Sequence, residues 1–241
     1  MARLARIAIV NTPHHVTQRG NGRQSILESD NERLVYLELL RHCAHLRGLT
    51  LLGYCLMSNH VHLLVVPQRE DSLALALKDC HGRYATFWNA QRHSTGHVWQ
   101  GRFYSCPLDD AHLWIALRYV ELNPVRAGLV ARAEGWPWSS ATAHFQTLDA
   151  EPWLDTTLWR KRWSRESWRR YLSSGENDDE LRAIRSCTHT GRPLGSREYV
   201  RKLEESTSRL LEPQKGGRPR KSSVSRDQGK LDFTADDTTA T

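Results

Sequence analysis

Two apolar runs, Leu51–Met57 and His60–Val66, are separated by only Ser58-Asn59, and Pro67 ends the second run. Two strand-like segments joined by two residues leave the chain little freedom other than to turn back on itself. The flanking sequence fits around that pair. His14–Arg19 reads as a strand, followed by the glycine-rich turn Gly20-Asn21-Gly22. Asp30–Leu46 reads as a helix, with an acidic and amide start and then Leu34, Val35, Leu37 and Leu39 at helical spacing. Beyond the pair, Asp71–Asn89 is helical, Gln91–Gly101 is loop and Phe103–Pro107 is a short strand. Asp109–Asn123 is a helix closed by Pro124. The order is β-α-β-β-α-β followed by an extra helix, which is the α+β, ferredoxin-like (split βαβ) arrangement. It occupies residues 1–145.

The chain has 241 residues, so about a hundred remain. Residues 146–211 read as a helical, basic extension: Glu151–Leu172 is rich in Trp and Arg, and Leu181–Leu211 is helical and polar. Residues 212–241 form a polar, Gly/Pro/Ser/Lys/Asp/Thr tail, expected to be disordered when alone. The net charge of +7 and a pI near 9.4 favour polyanionic partners. No apolar run reaches the roughly 18 residues of a membrane span. The five cysteines are scattered without a CxxC pair, which excludes a zinc ribbon and fits a reducing cytoplasm better than a disulfide scaffold.

Two short patterns carry possible chemistry. In NHVHLLVV, alternation puts His60, His62 and Leu64 on one face of a strand and Val61, Leu63 and Val65 on the other. The rise per residue sets the two imidazoles about 7 Å apart along the strand. Such a pair can chelate one divalent cation if a third ligand comes from elsewhere; two ordinary half-buried histidines would give the same pattern. In LWIALRYVELNPVRAGLV, Leu113, Leu117 and Val120 form an apolar stripe, and Tyr119 and Asn123 sit one turn apart beside it. That places a phenol on the helix shoulder with an amide next to it. The alternative is a boundary tyrosine with its hydroxyl in water and Asn123 as a helix C-cap. His112, seven residues before Tyr119, shares its azimuth and is a candidate base for the phenolic proton.

Cationic and aromatic residues recur outside this core. Arg19 and Arg23 flank the glycine turn as candidate phosphate contacts. The loop RHSTGHVWQGRF offers Arg102 to phosphates and Trp99 to bases, or else buries Trp99 structurally. Between Trp159 and Arg170, six cationic side chains, among them Arg162 and Arg165, face the single acid Glu166. This suits nucleic-acid binding, or else an amphipathic helix with buried tryptophans and solvated arginines. Gly217-Arg218-Pro219-Arg220-Lys221 is like the core of an AT-hook, whose arginines (here Arg218 and Arg220) enter a narrow A·T minor groove.

Taken in order, HVTQRGN, YCLMSNHVHLLVVP, HVWQGRFYS, ALRYVELNPVRAGLV and WPWSS closely resemble the REP-associated tyrosine transposases. These are bacterial members of the single-tyrosine HUH (histidine–hydrophobic–histidine) transposases and relatives of insertion-sequence transposases. The resemblance covers residues 10–145, and GRPLG and GGRPRK look like the C-terminal extension of one subgroup. It implies His60 and His62 as the metal pair, Asn123 as the third ligand, and Mg²⁺ or Mn²⁺ as the ion. Many relatives carry Gln, Glu or His at the position of Asn123. It implies Tyr119 as nucleophile in metal-assisted cleavage and rejoining of single-stranded DNA at REP-like hairpins, through a 5′-phosphotyrosine. It also favours a monomer, with a dimer as the alternative, in the bacterial cytoplasm, associated with the nucleoid, with no membrane partner. A non-catalytic DNA-binding protein on the same fold, and a zinc hydrolase with a water nucleophile, are the alternatives.

Overall fold

The computed structural model describes residues 6–145 and 153–212. Strand β1 (His14–Arg19) is followed by α1 (Asp30–Arg47), β2 (Leu49–Leu56), β3 (His60–Pro67), α2 (Ser72–Gln91), β4 (Tyr104–Pro107) and α3 (Asp110–Glu121). The four strands form one antiparallel sheet in the order β2-β3-β1-β4, the ferredoxin-like arrangement. Local signals account for the boundaries. Ser29 accepts from the Glu32 N–H and the Glu32 carboxylate accepts in return, so a capping box starts α1. Gly48, in the left-handed region at φ 63°, ends it.

The sheet separates two apolar layers. On one face Val16, Val61, Leu63 and Val65 are fully buried against α1 and α2. Each such side chain contributes on the order of 1.5–3 kcal/mol. On the other face Leu64 and Cys106 meet Leu113, Leu117 and Val120 of α3. Gly53, at an irregularity in β2, permits that approach: a Cβ there would stand 2.6 Å from the Leu117 methyl. α3 therefore lies close on the sheet, and its Tyr119 reaches the strand surface.

The helix expected to run to Asn123 ends at Glu121, and Pro124 begins a new turn, α4 (Asn123–Arg126). Proline is tolerated there because a first-turn N–H has no helical acceptor. After α5 (Ala141–Phe145), α6 (Thr157–Arg162), α7 (Arg165–Ser173), α8 (Asp178–Thr190) and α9 (Arg197–Thr207) return to the same sheet and helix. The stretch expected to be helical from Leu181 to Leu211 is two helices. Gly191, at φ 76°, caps the first, and Pro193 cannot continue it. Leu154 bridges to Leu51 and Leu194 to Leu108. The Trp168 indole donates to the fully buried Glu121 carboxylate at 2.9 Å, and the Ser140 hydroxyl donates to the same group at 2.8 Å. Trp159, Trp168, Leu172, Ile184 and Leu194 thus share the core around α3, whereas Leu154 joins the α1/α2 layer and Leu203 of α9 packs with Ile7. No described helix is long and apolar enough to cross a membrane.

Candidate functional site

The register of β1 against β3 builds the site floor. Thr17 stands opposite His62 and Arg19 opposite His60, so His15, Thr17 and Arg19 share the face that carries His60 and His62. The His60 and His62 rings are edge to face with centroids 5.0 Å apart, closer than strand rise alone gives because the two rings turn toward each other. His15, from the central strand β1, stacks on His62 at 5.1 Å, and its Nε2 lies 2.9 Å from His62 Nδ1. Tyr119 descends from α3 with its ring 5.5 Å from His62 and 5.7 Å from His15, both edge to face. The Arg126 guanidinium covers the Tyr119 ring at 4.3 Å, donates to the Tyr119 carbonyl and pairs with Glu176.

Burial sets the protonation of these groups. It lowers His60 to about 4, with nearby Arg19 adding to the effect, and lowers His15 to about 3, with Arg126 adding. His62 falls well below the ordinary imidazole value, through burial and then its neighbours His60 and His15. All three rings are therefore neutral near pH 7 and carry a lone pair each. For His60 the position of that lone pair follows from its partners. The Asn59 amide nitrogen donates to the Arg23 carbonyl at 3.2 Å, so the amide oxygen faces His60 Nδ1 at 2.6 Å. An amide oxygen only accepts, so Nδ1 holds the proton and Nε2 is left with the lone pair.

These residues border a cavity of about 610 Å³ that is also lined by Arg19, Arg23, Asn123, Arg185, Thr188 and His189. The side chains that could hold a cation there are His60, His62 and Asn123. The Asn123 amide nitrogen donates to the Tyr119 carbonyl at 3.3 Å, just past the Leu122 C-cap of α3, and this leaves its oxygen as a donor atom. Among the described residues no three His, Cys, Asp or Glu side chains are grouped to hold a metal. Any charge balance for a dication must therefore come from a bound anion.

The other sequence candidates divide. Arg19 and Arg23 line the cavity, whereas Arg102 borders the adjoining cleft with Arg6 and Tyr104. Trp99 does not face DNA: it is 9% exposed, packs 4.5 Å from His81 and donates to the His81 carbonyl at 2.8 Å. The structural reading of that tryptophan is the correct one. Trp159 and Trp168 are likewise buried, and Trp163 packs on Trp168 and Tyr171, so the basic stretch turns its aromatics inward. Arg162 and Arg165 are exposed on α6 and α7 and do not line the cavity; Arg162 lies over Trp114 and Trp163. His112 is not placed to act as a base. Its ring nitrogen bonds Asp109 at 2.6 Å at the start of α3, two turns (roughly 10 Å) from Tyr119. Arg218, Arg220 and the tail from residue 213 lie outside the described residues. Among the cavity and tyrosine neighbours not singled out from sequence are His15, Arg126, Arg185, Thr188 and His189. Only His15 carried a usable signal, its alternation with Thr17 and Arg19 in a strand bound to pair with the histidine strand.

A ferredoxin-like sheet carries a histidine pair beneath a helix-borne tyrosine, and the segment that holds them, residues 8–123, is similar to the IS200-like transposases. The family model described as "Transposase IS200 like" matches those residues. Within that class the chain is similar to REP-associated tyrosine transposases. A curated Haemophilus influenzae protein (strain Rd), provisionally named as one, is 30% identical over 100 residues, covering 36% of this chain. The chain spans 55% of that relative's length. In fold it is similar to the solved structure of a REP-associated tyrosine transposase bound to a REP hairpin. The TM-score is 0.50 at 18% identity, over 58% of this chain and 82% of the other.

Proposed function

We propose that the protein cleaves and rejoins single-stranded DNA at REP-like hairpins by transesterification, with Tyr119 as nucleophile. One observation carries the reading. Tyr119, the lone-pair-bearing histidines and three cavity-lining arginines (Arg19, Arg23 and Arg185) converge on a single cavity. In the reaction the Tyr119 oxygen bonds to phosphorus, the P–O3′ bond breaks, and a 5′-phosphotyrosine and a free 3′-hydroxyl result. The phosphodiester energy is retained, so a 3′-hydroxyl can reverse the step without ATP. The Tyr119 hydroxyl must give up its proton as its oxygen bonds to phosphorus.

The donor set fits a divalent cation: two neutral imidazoles, one with its Nε2 lone pair fixed by Asn59, and an amide whose nitrogen is already engaged. Bound by His60, His62 and Asn123, Mg²⁺ or Mn²⁺ would polarise the scissile phosphate and offset charge in the transition state. The absence of a carboxylate among these donors favours an anionic ligand, as the scissile phosphate is. Arg19, Arg23 and Arg185 give the cavity the positive field that draws in the strand. Arg126, stacked on the phenol ring and bonded to the Tyr119 backbone, holds the nucleophile against the histidines. The protein would act as a monomer.

A covalent-adduct gel tests this. Wild type and Tyr119→Phe meet a panel of labelled single-stranded REP-like hairpins from the host genome, with Mg²⁺, Mn²⁺ or EDTA. A denaturation-resistant band that requires metal and disappears in Tyr119→Phe is expected. Tight binding with no band would instead identify a DNA-binding protein on this fold. Hydrolytic products that Tyr119→Phe leaves unchanged would identify a water nucleophile.

A further inference from the structure

His15 belongs to neither the histidine pair nor the tyrosine helix, yet it is 1% exposed and both its ring nitrogens are engaged. Nε2 lies 2.9 Å from His62 Nδ1, and Nδ1 lies 2.7 Å from the hydroxyl of Thr188 on α8. Thr188 is itself buried, 173 residues away in sequence. The three side chains form one hydrogen-bonded line from the C-terminal region to a histidine of the proposed cation site.

Such a line has two possible directions. In one, the threonine hydroxyl donates to His15, His15 Nε2–H donates to His62 Nδ1, and His62 keeps a proton on Nε2. In the other, His62 Nδ1–H donates to His15 Nε2, His15 Nδ1–H donates to the Thr188 hydroxyl, and His62 Nε2 carries a lone pair. Only the second leaves His62 in the same form as His60, whose Nδ1 proton is fixed by Asn59. Thr188 can accept because a hydroxyl has lone pairs as well as a proton. The two histidines then present matching nitrogens, each backed by an acceptor at Nδ1.

We infer that His15 is a positioning residue that holds His62 in its Nδ1-protonated tautomer, with Thr188 of α8 as the terminal acceptor of the line. This rests on the cation site proposed above. It also gives α8, which lies outside the family-matched segment, a direct part in that site.

The test uses full-length protein with ¹⁵N-labelled histidine, without metal, and reads the His62 ring by long-range ¹H–¹⁵N correlation. His62→Gln provides the assignment. Wild type should show His62 protonated at Nδ1. In His15→Phe that tautomer should give way to the Nε2-protonated form, and Mn²⁺ affinity, read by electron paramagnetic resonance, should fall about 10- to 100-fold. Thr188→Val keeps the shape, removes the acceptor and should shift both readouts in the same direction by less; it decides the matter if His15→Phe does not fold. A wild-type His62 protonated at Nε2 overturns the inference, and so does a folded variant with unchanged tautomer and unchanged Mn²⁺ affinity. The DNA reading fails separately: wild type with the expected tautomer and Mn²⁺ binding but no covalent adduct would sink the strand-transfer reaction and leave the histidine line intact.

Discussion

The protein contains two clusters of histidine and tyrosine on opposite faces of the same sheet, and their chemistry differs through packing. On the α1/α2 face, Tyr36 bonds His81 Nε2 at 3.1 Å, Tyr36 meets Tyr84 edge to face at 5.3 Å, and Trp99 closes the group over His81. On the α3 face, Tyr119 meets His62 and His15 at nearly the same spacing. Burial lowers His81 to about 3, the same value as His15. Depressed imidazoles next to a tyrosine therefore do not define a site. In the closed cluster the Tyr36 hydroxyl occupies His81 Nε2, whereas the open cluster leaves His60 Nε2 a lone pair and borders a cavity with three lining arginines.

The largest expected effect separates the two tyrosines. Tyr119→Phe should leave no detectable adduct with hairpin DNA while unfolding at nearly the wild-type denaturant midpoint. Tyr36→Phe should form adduct at the wild-type rate once folded, and lose about 1 kcal/mol of stability with the His81 hydrogen bond. Adduct loss in Tyr36→Phe under conditions where it is fully folded would break the distinction. Next in size is Trp99→Ala. It removes a buried indole together with the extra hydrogen bond that the indole gives the His81 carbonyl, so it should cost about 3–5 kcal/mol by urea denaturation. Hairpin affinity of the folded fraction should be unchanged, and a specific loss of affinity at full folding would return Trp99 to the DNA surface.

The same contrast explains what was legible in the sequence. The strand and helix order, the two-residue turn and the His60/His62 face are local patterns of period 2 or 3.6, and they appear in the fold within one to three residues. Tyr119 was legible because the apolar stripe of α3 fixes which azimuth remains for it. His112 shares that azimuth but not the height, and one-dimensional periodicity does not measure distance along the axis. Trp99 was ambiguous because a basic-aromatic loop has the same composition whether its indole finds a base or the His81 carbonyl; only the contact with α2 decides. His15 required the register of β1 on β3, and Thr188 and Arg185 required a helix docked from the far end of the chain. The alternation of His15 with Thr17 and Arg19 gives its face but not its partner, and no local spacing places Thr188 or Arg185.

The third expectation concerns pH. Between the ordinary imidazole value of 6.5 and the folded value of about 3, the unfolded chain binds a proton at His81 and the folded protein does not. The stability that His81 contributes is therefore complete above pH 6.5 and is lost as pH falls below it, by about 1.4 kcal/mol per pH unit for one proton. His14, His15 and His60 act in the same direction. Urea midpoints should thus drop between pH 6.5 and 4.5, and His81→Gln should flatten that slope by one proton's worth. His60→Gln should flatten it comparably but should also abolish the rise in melting temperature given by Mn²⁺, which His81→Gln should keep. Equal loss of the Mn²⁺ effect in both variants would show that the closed cluster is not closed.

The smallest effect tests whether the arginines also divide between the clusters. Arg185 lines the open cavity, 5.8 Å from the Tyr119 ring centre. Arg92 belongs to the closed side, where it lies over Trp88 at 4.2 Å and pairs with Glu32. A cation that meets a phosphate releases about one counterion, so its removal lowers the slope of log affinity against log salt by about one and weakens binding a few-fold at fixed salt. A cation already neutralised by a carboxylate releases none. Arg185→Ala should therefore reduce the salt slope for hairpin binding by about one, and Arg92→Ala should leave it unchanged while costing some stability through the lost Glu32 pair. Titrations of both variants at three or more salt concentrations distinguish the cases. Equal slopes for Arg185→Ala and wild type would mean that the DNA strand does not pass α8, and the open cluster would then be approached only from the side of Arg19 and Arg23.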